Sequence, residues 1–93
     1  MLYVVVVNNV EEKDKKEFIE ISLAHANDSL TLDKGCIAFD VIEGIDAPEE
    51  VVFIEKWEDK SYLDAHAIAS QTRGKVNALN ALRYAKNMKI YRG

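Results

Sequence analysis

The chain has 93 residues, 48% apolar and 30% charged, with 16 acidic against 12 basic side chains and a formal charge of −4. That is an ordinary globular mixture of one domain's length, 1–93. Its acidic balance, with Lys and Arg in no long run, excludes a nucleic-acid surface, which needs basic charge to displace phosphate counterions.

No apolar run approaches the ~20 residues of a membrane span, so no membrane contact is expected. Cys36 is the only cysteine, so there is no disulfide framework, and no Cys/His spacing suits a metal. A domain this small buries only roughly 60–65% of the surface its unfolded chain exposes. Oligomerisation is the remaining common way to add buried area. The N-terminus, Met1-Leu2-Tyr3-Val4-Val5-Val6-Val7, has no basic segment and no small-residue cleavage site. It is not patterned as a signal peptide, and with one unpaired thiol the expected location is the cytoplasm.

In chain order, Leu2 to Val7 is a β-branched run, too short for a helix, that ends at Asn8-Asn9 and predicts a strand. Leu2, Val4 and Val6 share one face and Tyr3, Val5 and Val7 the other, so both faces need cover. From Glu11 to about Leu32 the period becomes helical. Ile19, Leu23, Ala26 and Leu30 form an apolar stripe flanked by Phe18, Ser22 and His25, and Gly35 stops the helix. Cys36 to Ile42 predicts a second strand with Ile37, Phe39 and Val41 on one face. Residues 43–50 form a loop with the only proline, and Val51 to Trp57 is a third strand antiparallel to the second. Asp59-Lys60-Ser61 opens a second helix. Ser61 and Asp64 fit a capping box, Asp59 competes as N-cap, and Tyr62, Ala65, His66 and Ala69 share a face. A shorter helix over Lys75 to Leu82 and a last strand over Lys86 to Tyr91 complete the order β-α-β-β-α-β. This is the α+β, ferredoxin-like split arrangement: a four-stranded antiparallel sheet with helices on one face. The open face, apolar in the first strand, predicts a second subunit.

Phe53, Glu55 and Trp57 alternate with Val52, Ile54 and Lys56 and so share a face of the third strand. A carboxylate and an indole beside a phenyl ring make an odd core, readable as a structural ion pair and a core cap or as a site. His66 lies one turn after Tyr62. An imidazole suits proton transfer near neutrality, although a lone helical histidine is more often structural than catalytic. His25 sits at the edge of an apolar stripe. Asn8 or Asn9 either satisfies the turn or holds a substrate oxygen. Cys36 reads as packing, and Arg73-Gly74-Lys75 as a solvated turn or an anion contact. Phosphate-loop, nucleophile, flavin and nicotinamide fingerprints are absent.

Three segments carry a family resemblance. Asn9-Val10-Glu11-Glu12-Lys13 with Glu17-Phe18-Ile19-Glu20 resembles the strand-to-helix passage of antibiotic biosynthesis monooxygenase (ABM) proteins. Gly35-Cys36-Ile37-Ala38-Phe39-Asp40-Val41 is similar to their segment after the first helix. Phe53-Ile54-Glu55-Lys56-Trp57-Glu58-Asp59, followed by Ala65-His66, is similar to their "E-x-W-x-D … A-H" signature. The resemblance spans nearly the whole chain and implies a dimeric α/β barrel: two ferredoxin-like subunits with sheets packed face to face and a pocket between sheet and helices. It also implies oxygenation of a small aromatic, quinol-like substrate with neither metal nor flavin, the substrate carbanion itself reducing dioxygen. The protein would supply a dry pocket, an anion-stabilising hydrogen bond and a proton route, roles that fit Asn8, Trp57 and His66. The asparagine register is open by one, and strand parity favours Asn8. Phe53, Glu55, Tyr62 and Arg73 are the candidates for substrate contact.

Two departures from the family pattern stand out. Ser70, Gln71, Thr72 and Arg73 stand where many relatives carry a second histidine, the iron ligand of heme-degrading members, which speaks against heme. Lys34 stands where a proline usually precedes the glycine. The segment from Asn9 to Glu20 resembles more closely a second branch, which isomerises phosphorylated autoinducer-2-type signals. Arg73 and Lys75 would there meet a phosphate. A third reading is a non-enzymatic dimeric ligand-binding module, which predicts a pocket that is closed or wholly apolar and out of reach of His66.

Overall fold

In the computed structural model, which describes residues 1–93, the apolar N-terminal run forms strand β1 (Leu2–Val10). Helix α1 (Glu12–Leu32), strands β2 (Cys36–Glu43) and β3 (Glu50–Trp57), helices α2 (Lys60–Gln71) and α3 (Lys75–Leu82) and strand β4 (Arg83–Arg92) follow. The strands make one sheet in the order β2-β3-β1-β4, and every neighbouring pair is antiparallel. This is the expected βαββαβ arrangement with the helices on one face. No helix is long and apolar enough to cross a membrane.

The doubly apolar run is a central strand, β1, paired on both edges. Its register sets Leu2, Val4, Val6 and Asn8 opposite Trp57, Glu55, Phe53 and Val51 of β3. All eight are buried beneath the helices. The alternate residues Val5, Val7, Val52 and Ile54 point to the other face, where nothing covers them and they are only half-buried. Along β4 the helix layer gives out, so Met88 and Ile90 remain exposed although they stand on the helix side.

Several sequence expectations are corrected here. β1 runs through both asparagines to Val10 rather than ending at them, because Asn8 is paired to Val51 and Lys86 and Asn9 to Glu50 and Ala85. β4 begins at Arg83, directly after α3. Ile37 does not share the face of Phe39 and Val41: the register shifts between Cys36 and Ala38, and the extra residue is turned outward and exposed.

The face that α1 buries is Phe18, Ser22, His25, Ala26 and Ser29, while Leu23 and Leu30 are 54% and 45% exposed. The sheet beneath explains the rotation. Phe53 and Phe39 fill the space below α1, Phe18 stacks on Phe53 at 6.2 Å, and His25 meets Phe39 edge-on at 5.3 Å. Ser22, Ala26 and Ser29 fill the remaining buried positions of that face, and the two leucines are turned away from it. In α2 the buried face is Leu63, His66 and Ser70, with Ala65 exposed and Tyr62 half-buried. Asp59, not Ser61, is the N-cap, accepting from the backbone N–H of Ser61 and Tyr62.

Candidate functional site

A cavity of about 260 Å³ lies between the sheet and the α2–α3 layer and opens toward β4. Its walls are mostly apolar: Val4 and Val6 of β1, Phe53 of β3, Leu63 of α2, Leu79 of α3, and Met88 and Ile90 of β4. Into this surface project Glu55, His66 and His25, with Arg83 and Lys86 along the β4 side. A concave apolar pocket with a few convergent polar groups is the usual form of a small-molecule site.

His66 is placed by helical spacing, one turn after Leu63, so the packing of α2 turns the ring into the cavity. Its Nδ1 lies 2.5 Å from Asp33 Oδ2. Asp33 ends α1, and its carboxylate is itself gripped by Arg73, with Nη1 donating to Oδ2 at 3.0 Å and Nη2 to Oδ1 at 2.5 Å. Burial works to raise the Asp33 pKa, but the hydrogen bonds from Arg73 and His66 outweigh it and hold the group below the usual carboxylate range. An ionised Asp33 accepts only, so His66 carries its hydrogen on Nδ1 and presents a lone pair on Nε2. The arrangement is a carboxylate–imidazole pair of the kind that stabilises a developing imidazolium.

Glu55 comes from β3, where the alternation of that strand sets it between Phe53 and Trp57 on the helix side. Trp57 Nε1 donates to Glu55 Oε1 at 3.0 Å, while Oε2 has no protein partner. Burial pushes the Glu55 carboxyl up to about 7, against the lowering effects of the Trp57 hydrogen bond and the Lys86 charge. A carboxyl titrating near neutrality in an apolar pocket is suited to acid–base work. The neighbouring His25 moves the other way. Burial, reinforced by the nearby His66 ring, lowers it to about 4 and leaves it neutral.

The structure therefore brings three of the sequence-predicted residues, Phe53, Glu55 and His66, to one cavity and keeps four off its wall. Trp57 is fully buried behind the site, its ring centroid 4.6 Å from that of His66. Asn8 faces the helix side as parity required, but it is completely buried. Its Nδ2 donates to the Val51 carbonyl at 2.9 Å, and its Oδ1 accepts from Arg83 Nη1 at 2.8 Å. Tyr62 lies over Gly35, where an added Cβ would fall 2.3 Å from the ring. Arg73 is spent on Asp33, and Lys75 is paired with Asp28 at 2.6 Å.

Asp33, Arg83 and Lys86 escaped sequence reasoning, and His25 was placed only at the edge of an apolar stripe. Asp33 sits far from His66 in sequence and carries no motif of its own. Its one signal was a carboxylate at a helix end, where a cation is the usual choice. No three or more His, Cys, Asp or Glu side chains converge to hold a metal.

The fold agrees closely with solved structures. A conserved protein of Methanosarcina mazei superposes with a TM-score of 0.89 at 25% identity, over 98% of this chain and 90% of that one. A structure described as an antibiotic biosynthesis monooxygenase superposes with a TM-score of 0.88 at 20% identity, over 100% and 98%. A protein of Shewanella oneidensis gives 0.84 at 20% identity, over 97% and 87%. Among curated proteins no sequence matches. The family model for antibiotic biosynthesis monooxygenase matches residues 1–72, which hold Glu55, Trp57, His66 and Asp33. The chain belongs to the antibiotic biosynthesis monooxygenase family.

Proposed function

We propose that the protein is a cofactor-independent monooxygenase acting on a small aromatic, quinol-like substrate, and that it works as a homodimer closed over the open sheet face. The observation that carries the reading is the joining, in one apolar cavity, of an unengaged His66 Nε2 backed by Asp33 with a Glu55 carboxyl that titrates near 7. His66 takes a proton from the substrate carbon, and Asp33 stabilises the imidazolium. Glu55 in its neutral form donates from Oε2 to the oxygen on which the carbanion's charge settles. The carbanion gives an electron to dioxygen, and the two radicals combine to form a carbon–oxygen bond. The peroxide then takes up the proton, loses its second C–H hydrogen and breaks its O–O bond. One oxygen stays as a carbonyl and the other leaves as water, so the substrate supplies every electron. Trp57 positions Glu55 and covers His66, Asn8 positions Arg83, and Phe53 offers its ring to the substrate.

An alternative isomerase acting through a phosphate on Arg73 and Lys75 draws no support, since both cations are paired with carboxylates away from the cavity. A purely ligand-binding module would not require His66 on the wall of an open pocket.

Oxygen-electrode assays with a panel of quinols and anthrones, in the presence of chelator and without flavin, test the proposal. Uptake is expected, with His66→Ala slower by about 100-fold or more and Asp33→Asn by about 10- to 100-fold. Absence of uptake with every compound, or an unchanged rate in His66→Ala, overturns it.

A further inference from the structure

We infer that the β4 side of the cavity is an oxyanion subsite, Arg83 and Lys86, so that the substrate carries a carboxylate or phosphate beside its aromatic body. The inference rests on the cavity being the substrate site.

The subsite is built by an irregularity in the sheet. Lys86 pairs with Asn8 and Ala85 with Asn9, but Val10 then pairs with Arg83, skipping Tyr84. The register shift re-aims Arg83 to the side of Lys86, as bulges beside functional sites do, and both side chains line the cavity. Arg83 is also held in place. Its Nε donates to Asn80 Oδ1 at 3.0 Å and its Nη2 to the same oxygen, while Nη1 donates to Asn8 Oδ1 at 2.8 Å. These are neutral carbonyl oxygens, one of them on a completely buried asparagine. They orient the guanidinium without neutralising it, and its remaining N–H donors at Nη1 and Nη2 have no protein partner. That leaves a fixed fork of the shape that binds carboxylate and phosphate oxygens.

No carboxylate of the chain fills this place. Neither Arg83 nor Lys86 forms an ion pair. Of the two acids on the cavity wall, Asp64 is engaged with Lys60 at 2.8 Å, and Glu55 is bonded to Trp57 and protonated over much of the neutral range. Arg73 and Lys75, a few residues earlier, each have a carboxylate. Burial disfavours the charged form of both Arg83 and Lys86, and at Lys86 the Arg83 charge adds to it while Glu55 opposes it. An incoming anion relieves both. In a chain with a net charge of −4, two cations without an ion-pair partner on one apolar cavity form a local attractor for an anion.

Binding without turnover isolates this claim from the oxygenase reading. Titration calorimetry with naphthoate and its neutral analogue naphthamide is expected to show naphthoate bound at least about tenfold tighter, with a preference that shrinks as salt rises. Arg83→Gln should erase the preference while naphthamide affinity holds. If that variant does not fold, Lys86→Gln, on the open rim, should reduce the preference several-fold. Naphthyl phosphate distinguishes the sources: tighter binding than naphthoate assigns a phosphate ester, weaker binding a carboxylate. Equal affinities for naphthoate and naphthamide, or a preference unchanged in both variants, overturn the inference. A preference that persists in a protein inactive toward oxygen would leave the subsite standing and remove the monooxygenase.

Discussion

At the scale of single residues, Glu55 and His25 share one cavity and titrate in opposite senses, which shapes stability against pH. The Glu55 pKa is raised from 4.5 to about 7. Its contribution is fully present below 4.5 and lost as pH rises through 7, because the folded state holds a proton that the unfolded state has released. The His25 pKa is lowered from 6.5 to about 4. Its contribution is present above 6.5 and lost as pH falls toward 4. Each shift corresponds to about 3 kcal/mol, and between about 4.5 and 6.5 the two slopes cancel. Urea melts of Glu55→Gln should therefore reveal the His25 slope alone, a gain of up to about 3 kcal/mol from pH 4 to 6.5. A wild-type-like flat profile in that variant would contradict the burial of a neutral Glu55.

Strand alternation alone put Phe53, Glu55 and Trp57 on one face, and helical spacing made His66 a candidate, so part of the site was legible in the sequence. Asp33 was not, since its meeting with His66 depends on how α1 and α2 cross the sheet. Arg83 was hidden by a register shift that local patterning does not encode, and Lys86, although placed in the last strand, carried no motif of its own. His25 was discounted because apolarity, not available space, was used to find the buried face of α1.

At the scale of elements, the two left-handed glycines separate conformational cost from steric cost. Gly35 has φ +85° and ends the α1 turn with the Tyr62 ring against it, whereas Gly74 has φ +81° before α3 with open space around it. Gly74→Ala is expected to cost about 1 kcal/mol, the penalty of the left-handed conformation for a residue with a Cβ. Gly35→Ala carries the same penalty plus displacement of Tyr62 from the α1–α2 junction, which should bring it to about 3 kcal/mol or more. Denaturant midpoints of the two variants check this, and equal losses would remove Tyr62 as a packing element. The order and type of every element were readable from period and length, and α3 was found at its observed bounds. Element ends were less legible where pairing overrode local preference, as when β1 and β4 zip together beyond the asparagines and carry Asn8 into the buried layer.

At the scale of the whole molecule, the helix-covered face and the bare face divide the labour. The first holds the cavity, and the second presents Val5, Val7, Val52 and Ile54 with Tyr3 and Ile42 at its margins. A contiguous apolar face of this kind on a small domain is a surface for association. Sedimentation at micromolar concentration is expected to give the mass of two chains, and Ile54→Lys to shift it toward one, since a charge on the apolar face would have to be buried on association. A stable, compact single chain at that concentration would remove the dimer from the proposal without touching the cavity.

The proposed chemistry leaves one atom of dioxygen in the product and sends the other to water. Turnover of an accepted quinol or anthrone under isotopically labelled dioxygen, followed by mass spectrometry of the product, reads this directly. One labelled oxygen per product molecule is expected, with no hydrogen peroxide formed. Unlabelled product accompanied by stoichiometric peroxide would contradict it, because the cavity would then only deprotonate a substrate that oxygen oxidises without insertion.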